Sequence, residues 1–222
     1  GLGVGGWFLW PYLPFNAPSS PHADSAPPPS ETNPSDPNAA QPPPIVKETE
    51  WQPLFDGDSL KGWVVHGKKD DNNWGVENGV LFTHGWNKSW LMTEKEYGDF
   101  EVRLEYRATI KANSGVALRA PLEGDPSYRG MEIQILDDTF QRGDRKIEIA
   151  PLETTGSIWD VAPAIRPVAK AAGDWNHFDI RVQGRKVVVK LNGTVVLDAE
   201  LDRYMKDKAA LHPGILRTNT NG

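Results

Sequence analysis

Asp99-Phe-Glu-Val-Arg-Leu-Glu-Tyr-Arg107 decides the fold. Phe100, Val102, Leu104 and Tyr106 alternate with Glu101, Arg103, Glu105 and Arg107, and a period of two places the first set on one face and the second on the other. A helix would scatter both sets around its axis. The stretch therefore predicts a strand with one buried and one solvated face, the habit of antiparallel sheets.

The same alternation recurs in Val116-Ala-Leu-Arg119, Met131-Glu-Ile-Gln-Ile-Leu136 and His177-Phe-Asp-Ile-Arg-Val182. Lys186-Val-Val-Val-Lys-Leu191 and Thr194-Val-Val-Leu197 flank Asn192-Gly193, a pair that accepts the positive φ of a tight hairpin turn. Helical periodicity is confined to a short helix or turn over 200–210. Many short strands with turn residues at roughly ten-residue spacing predict an all-β antiparallel sandwich or jelly roll. No repeat of about 20 to 50 residues is visible, which excludes a propeller or solenoid. Of the tryptophans, Trp51, Trp63, Trp74, Trp86, Trp90, Trp159 and Trp175 fall in this part. Packing between two sheets accounts for most of them. Trp86 and Trp159, in loops of Gly and polar residues, are candidates to stack on a sugar ring.

Residues upstream of this pattern read differently. Twelve of the 19 prolines lie between Pro11 and Pro44, among Ser, Ala, Asn and Asp. Such a stretch cannot bury enough apolar surface to offset the entropy of ordering, so residues 16–50 are expected to be a disordered Pro/Ser-rich linker. Residues 1–15 are apolar but interrupted by Pro11 and Pro14, too short a run to span a bilayer. They are expected to be the remnant of a hydrophobic signal or anchor segment, with a sticky soluble arm as the alternative. A hydrophobic start, a stalk and then a domain over residues 51–222 is the order of an exported protein: periplasmic, held at the cell envelope or secreted.

Of the net charge of −6, the three acids Asp24, Glu31 and Asp36 supply half; the remaining part carries 24 basic against 27 acidic residues. With no basic run to neutralise phosphates, nucleic acid is excluded as a partner, and a membrane is expected only through the N-terminal segment. The absence of cysteine rules out disulfides, Cys-type zinc sites and thiol catalysis. The five histidines are scattered and show no metal-binding spacing, so no cofactor is assigned. Oligomeric state leaves no mark on the sequence.

Several separated segments, taken in order, resemble one family. They are Pro53-Leu-Phe-Asp-Gly-Asp-Ser-Leu-Lys-Gly-Trp63, Trp74-Gly-Val-Glu-Asn-Gly-Val-Leu81, Tyr97-Gly-Asp-Phe-Glu-Val-Arg-Leu-Glu-Tyr106, Asn113-Ser-Gly-Val-Ala-Leu-Arg119, Glu132-Ile-Gln-Ile-Leu-Asp137, Thr155-Gly-Ser157, Gly173-Asp-Trp-Asn176 and Leu191-Asn-Gly193. Together they resemble the 3-keto-disaccharide hydrolases, also described as 3-keto-glucoside lyases and hydratases. The resemblance implies a concanavalin-like jelly-roll sandwich of two antiparallel sheets, a ligand groove on the concave face and a carbohydrate substrate. It also implies a closing strand pair, Ile-Gly-Leu-Gln followed by Val-Glu-Phe-Arg-Asn-Ile, that this sequence does not contain, so the jelly roll is expected to lack its last strands.

Glu132, Gln134 and Asp137 form the most informative set, because Glu132 and Gln134 project from the face opposite Met131, Ile133 and Ile135. Jelly-roll glucanases carry Glu-x-Asp-x-x-Glu in a similar place. Here the middle acid is Gln and the last is the shorter Asp, which argues against a retaining mechanism needing two carboxyls about 5 to 5.5 Å apart. A 3-keto sugar offers an easier route, since the ketone acidifies the C2 proton and lets the C1 oxygen leave. That route needs a base, expected at Glu132 or Asp137 (each also a potential metal ligand), and a group for the enolate, expected at Arg119, on the parity of Ala117. A solvated ion pair between Arg119 and Glu132 is the alternative. Gln134 would orient the sugar. Asn113, Ser114 and Tyr128, in bordering loops, and Trp159 would contact it, with turn formation the other account of Asn113-Ser114. Lys170 matches a family lysine, with a plain surface charge as the alternative. A divalent cation such as calcium on Asp137, Asp138 and backbone carbonyls is compatible with such folds.

Three classes remain open from sequence: an enzyme cleaving 3-keto-glycosides by elimination and hydration, a non-catalytic carbohydrate-binding module, and a structural domain at the cell envelope.

Overall fold

The computed structural model describes residues 51–67, 73–85, 89–138, 149–209 and 211–213, and the backbone of residues 7–10. The chain divides into residues 1–12 with 54–222, and residues 13–53; the second part lies almost wholly outside the described residues. Eleven strands are described: β1 (Trp7–Trp10), β2 (Trp63–Gly67), β3 (Trp74–Glu77), β4 (Val80–Thr83), β5 (Ser89–Thr93), β6 (Phe100–Ala108), β7 (Asn113–Leu118), β8 (Met131–Leu136), β9 (Trp175–Gln183), β10 (Lys186–Leu191) and β11 (Thr194–Glu200). Seven make one antiparallel sheet in the order β11-β10-β9-β6-β1-β4-β3, while β2 pairs with β5 and β7 with β8.

The alternation in Asp99–Arg107 becomes β6, whose Leu104 and Tyr106 are buried while Glu101 is exposed. β6 pairs along its length with β9, from Phe100 opposite Val182 to Arg107 opposite Trp175. The β10–β11 hairpin forms as its turn chemistry predicts, Asn192 at φ 52° and Gly193 at φ 79°. Short helical turns occupy Leu201–Arg203 and Met205–Lys208, where a helix or turn was expected.

One apolar core joins the two layers. Phe178, Ile180, Val187 and Val189 from the large sheet share it with Met131, Ile133 and Ile135 from β8, and Tyr106 stacks on Phe178 at 5.1 Å. The protein is thus an all-β antiparallel sandwich. Its core is built from Ile, Val and Leu rather than from tryptophan. Among the described residues no Trp is fully buried, and Trp63 and Trp74 each spend the indole N–H on a neighbour, the Leu54 carbonyl at 2.7 Å and Ser89 Oγ at 3.1 Å. An indole carries a donor that needs a partner, so it settles at the margin of a dry core.

The short layer positions the site. β8 has β7 on one side; on the other, Ile158 bridges Ile133, the Gln134 N–H donates to the Ser157 carbonyl and the Trp159 N–H to the Glu132 carbonyl. Residues 156–159 therefore run beside β8 as a third extended segment. Asp137 secures the other end of the layer, accepting the Lys111 N–H at 2.8 Å where Lys111 turns with φ 68°.

Candidate functional site

Because Ile133 and Ile158 share the core face, their neighbours share the other. On that face Glu132 lies between Ala117 of β7 and Trp159, and Gln134 between Gly115 and Ser157. Gly115 matters for what it lacks: a β-carbon built there would stand 2.5 Å from Glu132 Oε1, so the carboxyl occupies the space a side chain would take. Burial, aided by the negative charge of Asp125, pushes the Glu132 carboxyl up to about 7. It holds or releases a proton near neutrality.

Aromatic rings stand beside it. Trp159 follows Ile158 on the Glu132 side, and Tyr128, 51 % exposed, meets it edge to face at 5.4 Å and 87°. Tyr128 sits on the helical turn Pro126–Arg129, started by Asp125, whose Oδ1 accepts the Ser127 N–H at 3.1 Å and the Ser127 hydroxyl at 2.6 Å. Buried His212 completes the group, 5.7 Å from Trp159 and 6.1 Å from Tyr128.

The other expected site residues divide. Gln134 and Asn113 come together, the Gln134 amide donating to Asn113 Oδ1 at 3.3 Å, but Gln134 is only 3 % exposed. Asn113 and Ser114 belong to β7 and not to a loop, and Ser114 pairs with Ile135 on the core side. The strand alternation that would set Arg119 beside Ala117 stops at Leu118. Arg119 has φ 51°, and its guanidinium lies 3.5 Å from Asp99, where burial lowers its pKa and Asp99 partly offsets the shift. Asp137 is buried at the β6–β7 turn, and Asp138 Oδ1 is within 3.3 Å of Thr155 Oγ1. Among the described residues no three His, Asp or Glu side chains gather as a metal site. Lys170 donates from Nζ to the Trp175 carbonyl at 2.9 Å. Trp86 lies outside the described residues.

Sequence reading assigned no site role to Gly115, Asp125, Asp160, Lys208 or His212. Asp125-Pro126-Ser127 did carry a signal, a capping residue followed by proline at the first helical position. His212 reaches Ser127 and Asp160 across 85 and 52 residues, which no local pattern announces.

Fold and site together define an antiparallel β-sandwich protein with one proton-retaining carboxyl set against aromatic rings on its short sheet. Within that class the chain belongs to the family of the 3-keto-alpha-glucoside-1,2-lyase-like domain, whose model matches residues 50–219. It is 27 % identical over 168 residues to a 3-keto-disaccharide hydrolase of Bacteroides thetaiotaomicron, covering 67 % of this chain and 58 % of that protein. The chain thus spans somewhat over half the length of that curated relative. A crystal structure of a glycosyl hydrolase-like protein from Parabacteroides distasonis aligns with TM-score 0.53 and 28 % identity over 64 % of this chain and 73 % of that one. A second from the same organism, 22 % identical over 70 % of this chain and 77 % of its own, aligns with TM-score 0.58 and speaks to the fold alone.

Proposed function

We propose that this protein cleaves 3-keto-glycosides, with Glu132 moving the proton at C2 of the keto sugar. One observation carries the reading: the half-buried Glu132 carboxyl fills the space over Gly115 beside exposed aromatic surface, where burial pushes it up to about 7 and lets it both take and return a proton. The ketone at C3 acidifies the C2 proton. Glu132 carboxylate removes it, the electron pair forms the enolate, and the C1–oxygen bond breaks to leave an enone. The departing alkoxide takes a proton from water, and the resulting hydroxide adds at C1. Glu132 then returns its proton to C2. One water is consumed, one glycosidic bond is broken and Glu132 is regenerated, with no oxidant or reductant.

The alternative of two catalytic carboxyls has less support. The acid acting on Glu132 is Asp125, whose Oδ1 already serves Ser127. Tyr128 and Trp159 offer flat faces for the sugar rings. Those same rings favour a second reading, a carbohydrate-binding module without turnover.

Incubating the full chain with a 3-keto-disaccharide and with its unoxidised parent tests both. Monosaccharide released only from the keto sugar, and lost by about 10²-fold or more in Glu132→Gln, is the expected outcome. Turnover of the parent alone overturns the elimination route, and binding without release favours the module. The reaction would take place outside the cytoplasmic membrane, a setting supported by the Pro-rich stretch between Pro11 and Pro44; fractionation of cells making the protein checks it.

A further inference from the structure

The geometry points to His212 as a positioning residue that fixes the Tyr128–Trp159 corner beside Glu132, an inference that rests on the site proposed above. His212 is 1 % exposed, yet both ring nitrogens face hydrogen-bond acceptors: Nδ1 is 3.2 Å from the Ser127 carbonyl and Nε2 is 3.2 Å from Asp160 Oδ2. A carbonyl has no proton to give. Asp160 is engaged at its other oxygen by Lys208 Nζ at 2.8 Å, which favours its ionised form. The ring thus stands between two segments, each with an oxygen within hydrogen-bond reach of one of its nitrogens.

The places where His212 attaches give the bridge its purpose. Ser127 immediately precedes Tyr128, and Asp160 immediately follows Trp159, so His212 ties together the backbone neighbours of both rings. Asp160 is held at φ 54°, a conformation that costs a non-glycine residue about 1–3 kcal/mol and persists only where surrounding contacts impose it. Lys208 and His212 supply those contacts. The half-exposed Tyr128 ring lies parallel to the His212 ring, 6.1 Å away and at 6°, so its angle to Trp159 depends on His212 and on the turn that His212 grips. A sugar stacking on a fixed corner loses less freedom on binding than one that must order it.

His212→Gln roughly keeps the size and a polar end but cannot reach both partners at once. With a 3-keto-disaccharide as substrate, the expected result is a KM raised about tenfold with kcat within about threefold of wild type and folding retained by circular dichroism. In a Tyr128→Ala background the same substitution should add little, because the residue it acts through is gone. Hydrogen exchange at the amides of Ser127–Arg129 and Asp160 should quicken in His212→Gln, because the two segments lose their common tie. Unchanged exchange at those amides, an unchanged KM in His212→Gln, or a full effect persisting in Tyr128→Ala would each overturn the proposal. Should wild type release no sugar, the reaction assigned above fails, while hydrogen exchange and calorimetric affinity for the keto sugar in wild type and His212→Gln still decide the role of His212.

Discussion

The Glu132 carboxyl lies across the bare backbone of Gly115, its diagonal neighbour on β7. That space exists only because Gly115 has no β-carbon. Gly115→Ala should therefore displace the carboxyl and lower kcat/KM by roughly 10²-fold, while overpacking costs about 1–3 kcal/mol of stability. Steady-state kinetics and urea titration read the two effects separately. Full activity in Gly115→Ala would place the chemistry away from Glu132.

Glu132 also makes stability depend on pH. Between about 4.5 and 7 the folded protein retains a proton there that the unfolded chain has released, so this contribution is present below that window and is lost as pH rises through it. A rise of about 2.5 pH units, at about 1.4 kcal/mol each, sets an upper value of about 3.5 kcal/mol. Glu132→Gln has no proton to lose. It should be inactive yet more stable than wild type at pH 8 by about 1–3 kcal/mol, with the difference vanishing at pH 4. Thermal unfolding across pH 4–8 checks this, and parallel curves for the two proteins would count against a buried, proton-holding Glu132.

Asp137 serves the fold. Its carboxylate accepts the Lys111 N–H and its own N–H donates to the Ala112 carbonyl, closing the β6–β7 turn. Asp137→Ala should cost about 1–3 kcal/mol by leaving a donor unsatisfied. Denaturant unfolding and residual activity at low temperature distinguish this from a catalytic loss, which would abolish turnover without moving the midpoint.

The strands were legible because their cause is local. β6, β8 and β9 each have one buried face, and period two reports that directly; the shared face of Glu132 and Gln134 follows from the same rule. Where local rules ended, so did the reading. Arg119 follows the parity of β7 only while the backbone stays extended, and its positive φ breaks that continuity. Asp137 sits one residue beyond β8, where an acid can serve a turn as readily as a substrate. Asp160 and His212 acquire their roles only when distant segments meet, so their residue types carried no sign of it.

β1 makes a prediction about the sheet itself. Trp7–Trp10 pairs on one side with β6, Leu9 opposite Tyr106, and on the other with β4, Leu9 opposite Leu81. In the described sheet it alone joins β11-β10-β9-β6 to β4-β3. Removing residues 1–12 should open two edges at once, since the amides of β6 and β4 that face β1 lose their acceptors and exposed strand edges invite association with other chains. Hydrogen exchange should quicken in Val80–Thr83 and at the β1-facing amides of Phe100–Ala108, while β10, separated from β1 by both β9 and β6, keeps its protection. A melting temperature several degrees lower and a rise in light scattering should accompany the change. Exchange that stays the same in β4 and β6 would mean that β1 is dispensable to the sheet and that its apolar residues serve elsewhere.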